Sequence, residues 1–504
     1  MNNRIVLINF YMPKALGIKH IEKALTQAGY DVTTVFFKNI SFINPKGATA
    51  REIELLVELV KSKDPLAVGL SVMASFYMET IIEVNDALKQ AIDVPIVWGG
   101  IYPTMFAEEC LKHADLVVRS EGEETFIELA DMLKSGVNDF ANIRNLAYRD
   151  EGGAVVQNEL RDLLRDLDKF GWLELGLPNK YIIDNDIVKK HEDPLLGSMS
   201  YEISCSRGCP HACSYCSSSA WKRIHAGKGK TVRLRSIDSV IDELAHAKAK
   251  MKNLKYIRFY DEIFPEDEAW VDEFCAKYKA RINLPFEVWG HPRHADAKNF
   301  AKFVNVGLYK VTMGLQSGSP YIRRQIFNRP ETNEDIIAAS QSLVDAKVPE
   351  VIFDLMVRHH FETHDTLRET LFLCLELKGK FELRLHGLNF LPGTAIVQKA
   401  IDKGLVSPEE MERFLNAPMH EQYEMYWKNE NCDETMNYIY KLVSLTQVPR
   451  YKKKVMALGQ PDVPEQRTKV ERMYKIGMRS VRVRHIWKKL VMLGKGTVRK
   501  IFGR

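Results

Sequence analysis

Short β-rich apolar runs alternate with helical patterns in two separate series along the chain, and this alternation limits the folds open to it. The first series runs through "RIVLINF" (4–10), "DVTTVFF" (31–37), "LAVGLSV" (66–72), "VPIVWGG" (94–100) and "ADLVVRS" (114–120). Helical patterns follow near 17–28, 50–62, 77–91, 104–112 and 123–134. Strands that are apolar throughout and separated by helices predict an α/β fold with a parallel sheet covered on both faces. Ligands of such sheets bind at the carboxyl ends of the strands, so "LSVMAS", "WGGIYPT" and "RSEGEET" are the informative loops. "NLAYRDEGGAVVQN" (145–158) reads as a hairpin around Gly152-Gly153, and 159–198 reads as a charged connector.

The second series comprises "SYEISC" (200–205), "KYIRFYD" (255–261), "PFEVWGH" (285–291), "YKVTMGLQ" (309–316), "VIFDLMV" (351–357) and "LRLHGLNF" (383–390). Six β/α units predict a partial (β/α)6 barrel, since a closed one has roughly eight. Beyond Pro392 the strand signals fade and a helical C-terminal extension follows, with breaks at Pro449 and at Pro461 and Pro464. The expected division is a sheet domain over 1–145, a linker over 146–197, a barrel over 198–400 and a helical region with a basic tail over 401–504.

Of the 504 residues, 45% are hydrophobic and 27% charged, a globular composition. No apolar run reaches the roughly eighteen residues of a membrane-spanning helix. The start "MNNRIVLINFYMP" reads as a first strand without signal-peptide order, and the expectation is a cytoplasmic protein. The net charge of +5 is concentrated at the end, where Glu471 is the single acid from Arg467 to Arg504. That tail mixes its cations with Met473, Ile476, Val481, Ile486, Trp487, Leu490 and Phe502, partly at helical spacing. A basic amphipathic helix of this kind can lie on an anionic membrane or pack on the barrel with a solvated basic face. The helical reading disfavours nucleic acid as a partner.

Half of the eight cysteines fall within "SCSRGCPHACSYCSSS" (204–219), three of them as Cys209-x3-Cys213-x2-Cys216. A zinc site usually needs four protein ligands and a second pair at a distance, which is missing here; His211 and Cys205 do not stand at finger spacing. An iron–sulfur cluster is also normally held by four cysteines, so three leave one iron open to a substrate. The loop follows the first barrel strand, on the face where such folds place active sites. A structural zinc or an adventitious thiol cluster is the alternative reading of the triplet alone.

Together these residues resemble the radical SAM superfamily, whose signature is this Cys-x3-Cys-x2-Cys with an aromatic residue, here Tyr215, before the last cysteine. The resemblance implies a 4Fe-4S cluster on Cys209, Cys213 and Cys216. It further implies S-adenosylmethionine held at the open iron and cleaved reductively to a 5′-deoxyadenosyl radical. By the same resemblance "YDEIF" (260–264) offers Asp261 and Glu262 to the methionine amino group, and "GLQSGS" (314–319) offers Gln316 and Ser317. Arg293 matches an arginine after the third strand, and "LPGT" (391–394) a sixth-strand end near adenine. "HFET" (360–363) departs from the family's Pro-Gly-Glu-Thr. Cys205 reads as a buried strand residue, because a fourth ligand would close the site.

The stretch 96–133 resembles the later half of a cobalamin-binding, Rossmann-like domain fused to such barrels. This implies a cobalamin nucleotide tail against Gly99 and Gly100, a hydroxyl bond from Thr104, and Ser71 and Ser75 near the corrin edge. It also implies a "GEGE"-type turn at Glu121-Gly122-Glu123, with Ser120 in place of the first glycine. The first loop, "NFYMPKALGIKH", lacks the Asp-x-His-x-x-Gly that supplies an axial histidine, and His20 does not fit that pattern.

The implied activity is cobalamin-dependent radical methylation of an unactivated carbon on a small-molecule or lipid substrate. Flavodoxin or ferredoxin would serve as reductant. Cyclisation, coupling or oxidation without methyl transfer is the nearest alternative, and a non-catalytic cobalamin or iron–sulfur sensor the more distant one.

Overall fold

The computed structural model describes residues 2–39, 46–137, 139–427, 432–459 and 464–493. The first series forms β1 (Arg4–Phe10), β2 (Asp31–Phe37), β3 (Ala67–Ser71), β4 (Ile96–Gly99) and β5 (Leu116–Val118). These are parallel neighbours in the order β5-β4-β3-β1-β2. Alternate residues of β1 serve two cores: Val6, Ile8 and Phe10 face one layer of helices, while Ile5 and Leu7 face the other. That double burial explains why the strand reads as an unbroken apolar run.

The stretch expected as a linker is instead part of this sheet. β6 (Leu146–Arg149) and β7 (Val155–Gln157) extend it antiparallel beyond β5. At the other edge β8 (Lys180–Asp184) joins β2 in parallel and pairs antiparallel with β9 (Ile187–Lys190), giving nine strands in all. Charged neighbours hide β8 in the sequence. Its Lys180 is 2% exposed because it is neutralised by Glu22 at 3.0 Å and by Asp193 at 3.8 Å. The helix expected near 104–112 is likewise two short ones, Ile101–Met105 and Ala107–Cys110.

The second series is β10 (Ser200–Ile203), β13 (Tyr256–Phe259), β14 (Phe286–Gly290), β15 (Leu308–Gln316), β16 (Glu350–Met356) and β17 (Glu382–His386). They form a six-stranded parallel sheet in sequence order, an open barrel wall. Between β10 and β13 a small antiparallel pair, β11 (Ser206–Arg207) with β12 (Arg233–Leu234), brackets the cysteine loop. Past residue 400 the described segments are helical. The helices Glu434–Leu445 and Pro464–Leu493 pack Ile439, Leu442, Val470 and Met473 into the barrel's outer core. Lys488 of the last helix reaches Glu382 at 2.8 Å and Glu350 at 3.5 Å, near the start of β17 and at the start of β16. Phe502 and Pro461 lie outside the described residues, as does the side chain of Leu490.

Phe259 is the centre of an aromatic cluster, with Phe264 at 4.9 Å, Phe286 at 5.6 Å and Phe274 at 5.7 Å between ring centroids. Phe259→Ala is expected to remove about 3–5 kcal/mol from the barrel. Calorimetry of the full chain should show the barrel transition lowered, with the helical content at 20–25 °C unchanged.

Candidate functional site

The cysteine loop is shaped by close backbone contact. Gly208, at φ +94°, lies so near β12 that a Cβ would sit 2.2 Å from the Thr231 carbonyl oxygen, which only glycine permits. Past it, Ser214 N–H donates to the Phe327 carbonyl (2.9 Å), and Asn328 Nδ2 donates to Ala212 O (2.7 Å). Cys216 stands at the N-cap position of the helix Ser217–Ile224, with its thiol making no capping bond. Burial pushes the Cys209 thiol up to about 11 and raises that of Cys213. All eight cysteines are free thiols. Cys205 is fully buried in the barrel core, so the loop itself offers three sulfurs and no fourth. That donor set fits a cluster with one open iron.

His211, inside the loop, stacks on His291 at 3.9 Å, and His294 completes a trio whose ligand atoms lie within 4.8 Å of one another. Burial and the nearby cations hold the His211 and His291 rings neutral, with His211 lowered to about 4 and His291 to about 2. Neither histidine of the β14 turn was signalled by the sequence.

The predicted methionine-binding residues divide into two groups. Glu262 lines the cavity described below and accepts from Ser218 Oγ at 2.7 Å. Asp261 turns the other way. It is 3% exposed and accepts from Cys205 N–H (3.1 Å) and Ser206 Oγ (2.5 Å), so it braces the strand feeding the loop. Burial outweighs those bonds and raises its carboxyl to about 6. Ser317 is also committed internally: it is fully buried and its Oγ accepts from Ser319 N–H at 3.1 Å. Gln316 takes φ +65° at a register shift between β15 and β16. Arg293 is exposed on the turn Pro292–His294 and is not on the cavity wall. Tyr215 accepts from Arg329 Nη1 at 3.0 Å, and Arg329 also binds Glu331 and the Gly314 carbonyl. This contact links the cysteine loop to the end of β15.

A cavity of about 470 Å³ lies between the strand ends of the sheet and the cysteine loop. Ser71, Gly99, Gly100 and Gly122 form one wall; Cys209, Ser218, Trp221 and Glu262 form the other. Its deep end passes Leu7, Gly69, Val97 and Phe126, an apolar slot between the sheet and the helices Gly17–Gln27 and Glu123–Ser135. An apolar slot between sheet and helices, opening at the glycine-lined strand ends, is chemically suited to the buried tail of a corrin cofactor. Gly100, at φ +122°, would place a Cβ 2.6 Å from Val72 O, so close loop packing demands that glycine. His20 also lines the cavity, and burial together with Arg207 and Arg235 keeps it neutral.

The remaining cobalamin-side expectations are displaced. Ser75 is buried in a turn off the wall. Thr104 Oγ1 donates to Gly100 O (2.7 Å) and accepts from Ser120 N–H (2.8 Å), tying two strand-end loops together. Glu121 touches the wall, yet it accepts from Arg207 (3.2 Å), Arg233 (2.9 Å) and Leu164 N–H (2.8 Å). Burial raises its carboxyl, but these partners outweigh that and hold it below the usual range. Glu123 takes Arg207 Nη2 at 2.6 Å, and Ser120 Oγ meets His225 Nε2 at 2.6 Å. Lys14 Nζ crosses to Ser198, Ser200 and Glu202, each within 2.9 Å. The expected ligand turn is thus largely an interdomain fastening. Arg207, Arg233, His225 and Lys14 carried no motif by which to find them.

Within "HFET" the glutamate, which the family's Pro-Gly-Glu-Thr shares, has a measurable effect on stability. Burial raises Glu362 to about 8 although Arg358 N–H donates to it. An unfolded glutamate titrates near ~4.3, so the native state binds the extra proton and stability falls as pH rises from ~4.3 to about 8. Glu362→Gln should flatten that fall in a series of melting temperatures taken across the window.

A family model described as B12 binding domain matches residues 9–130, and one described as Radical SAM superfamily matches 203–374. An uncharacterized methyltransferase, PH0819, of Pyrococcus horikoshii is 27% identical over 271 residues, covering 53% of this chain and 55% of that protein. An anaerobic magnesium-protoporphyrin IX monomethyl ester cyclase of Cereibacter sphaeroides is 28% identical over 340 residues, 63% of this chain and 50% of that one. The chain therefore spans about half the length of these curated relatives. Among solved structures, the radical S-adenosylmethionine methyltransferase TsrM of Kitasatospora setae, with cobalamin and a [4Fe-4S] cluster bound, superposes with a TM-score of 0.65 at 16% identity. It covers 95% of this chain and 100% of its own. The cobalamin-dependent radical enzyme OxsB, with aqua-cobalamin and S-adenosylmethionine, gives 0.59 at 15% identity, over 94% of this chain and 72% of its own. These likenesses establish the fold. The chain thus sets a B12-binding domain, over residues 9–130, ahead of a radical SAM superfamily domain, over 203–374, that carries the three-cysteine loop.

Proposed function

We propose that the protein is a cobalamin-dependent radical SAM methyltransferase acting on an unactivated carbon of a small molecule. The observation that carries this reading is a cavity shared between the cysteine loop on one side and the B12-type strand ends on the other. Two reactive centres must reach one carbon, and a shared, largely apolar chamber meets that need.

Cys209, Cys213 and Cys216 would hold the 4Fe-4S cluster, and the core position of Cys205 keeps the fourth iron open. Glu262, on the cavity wall, would pair with the amino group of bound S-adenosylmethionine. Ser71, Gly99 and Gly100 would border the corrin, whose tail would enter the slot at Leu7, Gly69 and Phe126. When bound, these cofactors supply a 5′-deoxyadenosyl radical and a transferable methyl group. The chain positions them, with Arg329 and Tyr215 stiffening the loop and the apolar wall excluding water. An electron donor such as flavodoxin or ferredoxin completes the requirement. The cyclase relatives favour a second reading, ring closure by the same radical without methyl transfer.

Anaerobic reconstitution with iron, sulfide and cobalamin tests the proposal. Cys213→Ala should abolish 5′-deoxyadenosine formation, and retained cleavage would refute the ligand assignment. Gly99→Leu should lower corrin uptake by ~10-fold or more by filling the wall, with cluster iron content unchanged. Methyl-labelled S-adenosylmethionine then decides between the readings: label in the product supports methylation, and an unlabelled cyclised product supports ring closure.

A further inference from the structure

The helix Pro464–Leu493 has two unlike faces. Inward, Val470 and Met473 join the barrel core and Lys488 pairs with Glu382. Outward, large apolar side chains stand open: Ile476 is 46% exposed, Val483 60%, Ile486 48% and Trp487 67%. At 100° per residue, Ile476, Val483 and Trp487 fall within about 40° of one another, and Ile486 lies beside them. Single exposed apolar residues are ordinary, but four in one stripe mark an interaction surface.

Lys469, Arg472 and Arg479 lie within about 60° of the centre of this stripe, and Lys475 and Arg482 flank it beyond Ile486; all five are exposed. Among the described residues Arg472, Arg479 and Arg482 have no ion-pair partner, while Lys475 reaches Glu471 at 3.4 Å. Glu471, the single acid between Lys469 and Trp487, is held by Lys441 at 2.6 Å on the flank. A helix merely solvated on its outer side has no need of four large apolar groups there. A nucleic-acid surface would use the cations and leave the aliphatic residues idle. Cations interleaved with aliphatic groups and a tryptophan match an anionic lipid surface, where the apolar stripe enters the headgroup boundary and the cations meet phosphates. No described helix is long and apolar enough to cross a membrane, so the contact is peripheral.

We infer that the outward face of this helix docks the protein on an anionic lipid bilayer. The inference does not depend on the reaction, because partitioning is measured without turnover. Full-length reconstituted protein is sedimented with vesicles of phosphatidylcholine plus phosphatidylglycerol, and with phosphatidylcholine alone. Binding is expected to the anionic vesicles, weakened by salt. Val483→Ser/Ile486→Ser/Trp487→Ser should cut it by ~10-fold or more with the melting temperature unchanged, since these side chains point away from the core. Arg479→Glu/Arg482→Glu should remove the preference for anionic lipid and guards against an effect of the first variant on folding. Absence of vesicle binding by the native chain would overturn the inference, as would binding by both variants as strong as that of the native chain. Two further outcomes would also overturn it, each without vesicle binding: retention on single-stranded RNA, or a dimer lost in the serine variant.

Discussion

The interaction on which the site depends is the grip of Glu121 and Glu123 on Arg207. Arg207 stands two residues before Cys209, so the sheet domain holds the strand that launches the cysteine loop. The side chains of Glu123 and Glu121 are 6% and 15% exposed, and Arg233, also on Glu121, is 4% exposed. Removing one member of such a buried network typically costs ~3–5 kcal/mol, because it strands the other charges away from water. Non-directional apolar packing would hold the domains together without fixing their register. Bidentate charged bonds define it, and the geometry of the shared cavity follows.

Topology then places the chemistry. The strands β1–β5 of the first sheet and all six of the barrel run parallel, so each set collects the loops that follow its strands at one edge. The two edges face each other across the cavity, and the fastening residues (Lys14, Ser120, Glu121, His225) come from those same edges. Stability and site geometry therefore share residues. A substitution at the interface acts on the cavity as well as on the fold.

The helical extension works at the opposite end. Lys488 reaches Glu350 and Glu382 near the starts of the last two barrel strands, remote from the cysteine loop. Its inner face supplements the core of an open barrel that lacks the strands to close upon itself. Its outer face keeps a composition that barrel packing does not require.

Sequence alone determined the two β/α series and the three-cysteine loop, because each is written in local spacing; the order β5-β4-β3-β1-β2 of the first sheet is set only by tertiary pairing. Apolar runs dictate double burial, and three thiols within eight residues must share a loop. It did not determine which polar groups open to the cavity. Asp261 and Glu262 are neighbours, yet one braces backbone and the other faces the chamber. Thr104, Ser317 and Glu121 are taken up by partners that motif reading treats as silent. Nor could it show β8, whose Lys180 is buried only because Glu22, far away in the chain, neutralises it. Tertiary structure decided these points, since a polar side chain takes its direction from the partner that compensates its desolvation. Here that partner generally lies on another element.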